Sequence, residues 1–179
     1  MSDDSSSEYL RLRRARKHGD IAALVAALED PVWAATASRF LGQIEAKEAA
    51  PAIAQLLESS EPQIRIAAVG ALGELGMRDD AGSVERLARS DSHQAVRSYA
   101  LVALAQILGP EARGVIGSAL EKDPDWRTRR AAAVALGLFG TPEDLETLGD
   151  AAARESWLKR RRYRRARRQI KRRNRKAAV

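Results

Sequence analysis

QIRIAAVGALGEL, residues 63–75, decides the fold, because the chain carries four versions of it. The others are VWAATASRFLGQI at 32–44, AVRSYALVALAQI at 95–107 and RTRRAAAVALGLF at 127–139. Aligned on their leucines, they form columns. Leu41, Leu72, Leu104 and Leu136 make one, with steps of 31, 32 and 32 residues. Ala37, Ala68, Ala100 and Ala132 make a second, and Ile44, Leu75, Ile107 and Phe139 a third. Gly42, Gly73, Ala105 and Gly137 make a fourth. A fixed period of this size marks an array of small units, each unable to bury its apolar face alone.

Each copy has a start signal: Asp30-Pro31, Glu61-Pro62, Asp91-Ser92 or Asp123-Pro124. Asp and Ser suit the N-cap and Pro the first helical turn. Gly76, Gly109 and Gly140 stand near the ends, where glycine can take the left-handed C-terminal conformation. Each copy therefore predicts one helix of three to four turns. A second helix follows in APAIAQLLES, AGSVERLARS, ARGVIGSALEK and PEDLETLGDAAA. Helix, turn, helix, turn is the expected unit. Glycine inside a helix costs roughly 0.5–1 kcal/mol relative to alanine, so the glycine column predicts close approach of a neighbouring helix.

The succession of Asp/Glu-Pro, Ile64-Arg65 or Val96-Arg97, alanines and Ala-Leu-Gly resembles the HEAT family. It is most similar to the short HEAT-like repeats of phycobilisome lyases and many bacterial proteins. The period departs from the roughly 40–47 residues usual for HEAT and armadillo units. Its length would suit tetratricopeptide or ankyrin repeats, but their Trp-Leu-Gly-Tyr and Thr-Pro-Leu-His signatures are missing. The resemblance implies an all-α fold, a right-handed α-solenoid of HEAT-like helix pairs (an α-α superhelix), ending in a basic helical or disordered tail. SEYLRLRRARK and DIAALVAALED read as a further helix pair split at Gly19. The expected organisation is an N-terminal cap helix at 1–19, a repeat solenoid at 20–153 and a basic tail at 154–179.

The repeats carry no recognisable chemistry. There is no cysteine, no phosphate-binding glycine loop and no serine-nucleophile motif. His18 and His93 are the only histidines and lack ligand spacing, so no metal or cofactor is expected. Arg65, Arg97 and Arg129 recur at steps of 32. The resemblance implies that such an arginine pairs with an acid of a neighbouring unit, and this structural ladder is preferred to an anion site. Some HEAT-like proteins are DNA glycosylases that trap a base between tryptophans and an aspartate. Trp33 has no acid within the following turn and Trp126 precedes arginines, so both tryptophans read as closing unit junctions. A bilin lyase is the other enzymatic alternative, but none of its residues transfers here.

Charge divides the chain. Residues 154–179 hold 14 Lys and Arg against one acid, a net +13, while 1–153 hold 17 bases and 23 acids, a net −6. Such asymmetry points to a segment with its own task. The segment lacks Gly and Pro, and Trp157 or Leu158, Tyr163, Ala166 and Ile170 leave a narrow apolar stripe. Like charges four residues apart repel, so partial helix is expected in isolation and fuller helix on a polyanion. Guanidinium grips phosphate through a planar fork. The candidate nucleic-acid contacts are Lys159, Arg160, Arg161, Arg162, Arg164, Arg165, Arg167, Arg168, Lys171, Arg172, Arg173, Arg175 and Lys176, with Trp157 and Tyr163 as candidate stacking residues. A second basic cluster, Arg11, Arg13, Arg14, Arg16 and Lys17, reads as an ordinary helix face.

The sequence thus predicts a non-catalytic scaffold or adaptor. It meets a protein partner through its repeat surface and RNA or DNA through its tail, with weak sequence selectivity. The alternatives are a HEAT-like enzyme or a pure interaction module with an acidic partner. No signal peptide or membrane span is expected, and the expected state is a cytoplasmic monomer.

Overall fold

A computed structural model describes residues 2–153 and 157–177, with side chains placed for 5–153 and 163–176. Every regular element among them is helical. The chain forms two compact units, residues 1–80 and 81–179. In the first unit the helices are α1 (Ser2–His18), α2 (Ile21–Ala26), α3 (Ala34–Gln43), α4 (Ala50–Gln55) and α5 (Pro62–Leu75). Gly19, with φ +68°, ends α1, and Asp20 caps α2 by accepting from the Ala23 amide at 3.0 Å. Leu12, Leu24, Leu41, Ile53 and Leu72 are fully buried.

The repeat columns form the packing surface between α3 and α5. A Cβ added at Gly42 would lie 3.1 Å from the Ala71 Cα. The glycine therefore admits the backbone of the next repeat's helix, which is why the small column exists. The C-terminal turns differ from one copy to the next. Gly76 is left-handed (φ +67°), as its position suggests, but in the first copy Glu45 takes that conformation at φ +56° without glycine's freedom. Gly140 is not left-handed (φ −53°). It is required for space instead, since a Cβ there would clash with the Leu136 carbonyl oxygen and meet Ile170 Cδ1 at 2.8 Å.

The second unit contains α6 (Ala81–Ser90), α7 (Gln94–Leu108), α8 (Arg113–Lys122), α9 (Trp126–Phe139), α10 (Asp144–Ala153) and α11 (Trp157–Ala177). Its packing pairs each second helix with the first helix that follows: α6 with α7, α8 with α9, α10 with α11. The first-type helices α7, α9 and α11 then lie side by side, α9 against both others. The hairpin is therefore shifted by one helix from the unit read off the sequence. The cause lies in the turns. Asp91 and Asp123 are not N-caps; their carboxylates accept from the amides two residues on, at 2.8 Å for His93 and 2.9 Å for Asp125. These Asx turns fold each second helix tightly onto the next first helix. The apolar stretch 94–122 is no single helix: it spans α7, a 3-10 turn at Gly109–Ala112 and α8.

Two glycines of the first unit should respond oppositely to substitution. Gly42→Val should lower stability by about 1–3 kcal/mol through overpacking against α5. Gly70→Ala, where nothing lies within 4 Å of the added carbon, should raise it by roughly 0.5–1 kcal/mol. Urea denaturation of the two variants checks both signs.

Candidate nucleic-acid interface

The basic segment read from its charge as a separate tail is largely the helix α11, packed on α9 and α10 in the second unit. It completes the last hairpin. Tyr163 and Ala166 are 2% exposed and Ile170 is fully buried. A Cβ at Gly137 of α9 would lie 3.4 Å from the Ala166 Cα, so Gly137 faces Ala166 as Gly42 faces Ala71. The separation is 29 residues in both cases. Ile170 also continues the third column, 31 residues beyond Phe139. That register is the signal which the sequence reading missed, because cations surround it. The stabilisation of α11 therefore comes from a buried face, in addition to anything a polyanion would supply.

Packing divides the cations of α11 into two groups. Arg173 reaches the end of α9, donating to the carbonyls of Leu138 at 2.6 Å, Gly137 at 3.3 Å and Gly140. A cation at these unpaired carbonyls complements the negative end of the helix. Arg167 stands in the register of the core leucines and lies along α10, its Nη1 3.8 Å from where a Gly149 Cβ would be. Its Nε is buried without a hydrogen-bond partner. Arg164, Arg165, Arg168, Lys171, Arg172, Arg175 and Lys176 are exposed. At 100° per residue these seven fill a sector of about 140°, and from 163 to 176 no other residue type falls within it. Tyr163, Ala166, Ile170 and Arg173 lie on the opposite side. The side chains of Trp157, Lys159, Arg160, Arg161 and Arg162 lie outside the described residues.

A groove of about 520 Å³ runs between α9 and α11, lined by Arg130, Val134, Arg165, Ala166 and Gln169. Arg127 and Arg130 stack on Trp126 at the start of α9, 4.8 and 5.6 Å from its ring centroid. Trp33 is the N-cap residue of α3. In α1, Arg16 lies over Phe40 at 4.7 Å and donates to Gln43, and Arg11 pairs with Glu8. Arg13, Arg14 and Lys17 are exposed.

The arginine ladder has one shared geometry. Arg65 donates to the carbonyls of Ser59 and Ser60, Arg97 to those of Asp91 and Ser92, and Arg129 to those of Asp123 and Pro124, at 2.7–3.4 Å. Each arginine thus reaches back to the turn that closes the preceding second helix. Arg97 also makes a two-pronged bond with Asp123, at 2.8 and 3.1 Å. Hydrogen bonding to Asp123 pushes the Arg97 pKa further up, more than burial lowers it. His93 is the N-cap residue of α7 and His18 the last residue of α1. No group of three or more His, Asp or Glu arranged for a metal occurs among the described residues.

Three substitutions test these contacts. Arg97→Met leaves the Asp123 side chain, 7% exposed, without its cation and should cost about 3 kcal/mol. Arg89→Ala, which removes the exposed pair with Glu85, should change stability by less than about 0.5 kcal/mol. Tyr163→Ala should cost about 3 kcal/mol by leaving a cavity on the buried face of α11. Thermal unfolding followed by circular dichroism measures all three.

Comparison with known proteins agrees with this architecture. A family profile described as HEAT repeats matches residues 21–105 and 83–167, the second match reaching into α11. A HEAT repeat-containing taxis protein of Halobacterium salinarum is 33% identical over 75 residues, 42% of this chain and 18% of that protein. The chain thus spans about a fifth of that relative. The complex of CpcE and CpcF of phycocyanin lyase from Nostoc sp. PCC7120 superposes with a TM-score of 0.66 at 25% identity, covering 88% of this chain and 69% of that one. An engineered protein superposes with a TM-score of 0.53 at 20% identity over 89% and 83% of the two chains, a likeness of fold.

Proposed function

The chain belongs to the HEAT-repeat family, and from that premise we propose that it is a non-catalytic cytoplasmic adaptor, which holds a protein partner on its repeat surface and nucleic acid on α11. The carrying observation is the outer face of α11, where seven exposed cations stand together on a helix fixed to the stack. An exposed helix face needs polar residues for solubility, but a few mixed charges would serve that need. A continuous cationic sector goes well beyond it and matches a polyanion. Phosphate is the natural ligand for arginine at this density. The described part of α11 offers no base-reading arrangement, so the binding is electrostatic.

The protein-partner half of the proposal is supported by the likeness to CpcE and CpcF, which form a complex with each other. Stacked repeats present an extended surface suited to such contacts.

The test is fluorescence anisotropy with labelled RNA and DNA over a salt series. With six or seven phosphates engaged, affinity should fall about 10³-fold between 50 and 200 mM salt. Binding that ignores salt, or that survives replacement of the seven exposed α11 cations by glutamine, would remove the electrostatic reading.

A further inference from the structure

We infer that the nucleic acid taken by α11 is double-stranded, gripped along its phosphate backbone by the outer face between Arg164 and Lys176. This rests on the nucleic-acid reading above and sharpens it. The first argument is the fate of the aromatic ring. Sequence-tolerant binding of single strands relies on aromatic side chains on which bases stack. Among the α11 side chains that are described, those of 163–176, the one aromatic, Tyr163, is turned inward against the stack and 2% exposed. The outer sector presents only guanidinium and ammonium groups, which suit phosphates.

The second argument is rigidity. Arg164 to Lys176 span about 18 Å of helix, held by Ala166, Ile170 and the Arg173 clamp on the end of α9. The row cannot wrap around its ligand. A duplex supplies a fixed row of charges, about one per 1.7 Å of axis with both strands counted. A single strand would have to be straightened along the helix without stacking to offset its lost freedom. The third argument concerns the cations themselves. Arg167 and Arg173 are engaged in the stack, so Arg164, Arg165, Arg168, Lys171, Arg172, Arg175 and Lys176 form the contact set within the described helix.

The experiment uses the full chain with four fluorescein-labelled probes: a 20-base-pair DNA duplex, the RNA duplex of the same sequence, and one strand of each. Anisotropy is read from 50 to 300 mM salt. Both duplexes should bind about tenfold or more tightly than the strands, lacking a stacking contribution for the strands. Replacing Arg168, Arg172 and Arg175 by glutamine should lower the duplex salt slope by about 3. Arg167→Gln, with its fold checked by circular dichroism, should leave the slope unchanged.

Single strands binding as tightly as duplexes would overturn the duplex proposal while leaving the nucleic-acid reading in place. A slope lost equally on Arg167→Gln would overturn the division of the cations. Absence of binding to all four probes, with retention on phosphatidylserine vesicles, would overturn both readings.

Discussion

Close approach of neighbouring helices at the small-residue columns is the constraint on which the rest depends. Where Gly42 meets Ala71, and again where Gly137 meets Ala166, the backbones come so close that an added Cβ would crowd the facing Cα. Glycine inside a helix is unfavourable in isolation. It is retained here because the packing gained along whole helix faces exceeds that local loss. Leucine, isoleucine, valine and alanine fill most of the rest of these faces, with Phe40 and Tyr163 as buried aromatics.

The same contact settles what kind of object the cationic segment is. Docked through Tyr163, Ala166 and Ile170, α11 cannot present all its charges outward. One arginine closes the end of α9, another lies along α10, and the remaining described ones are gathered onto a single side. Mutual repulsion among these charges disfavours the helix in water, and burial of the opposite face counters it. A charged segment that would fray as a free peptide is thereby kept helical.

The arginine ladder acts at the turns rather than on the helix faces. Each rung ties a first helix to the turn before it through backbone carbonyls, and Arg97 adds a nearly buried ion pair with Asp123. Such a pair contributes less to net stability than its geometry suggests, because both charges lose water. Its value lies in geometry, since a planar guanidinium meeting two carbonyls and a carboxylate admits few alternative arrangements.

The sequence by itself determined that the chain is an array of helices. Four columns at steps of 31 and 32 residues require it, since only stacking can bury such faces. It also fixed the division of charge and the register of the arginine ladder. The tertiary structure alone decided which helices pair, because two consecutive turns look alike in composition until the Asx geometry at Asp91 and Asp123 is seen. Only the structure showed that the repeat continues through the cationic segment. Ile170 holds its column and Ala166 follows Gly137 at the spacing of Ala71 from Gly42, but composition weighs every residue equally, whereas burial depends on the few that face the neighbouring helix. For the same reason the exposed and engaged arginines, identical as letters, separate only once α9 and α10 are in place beside them.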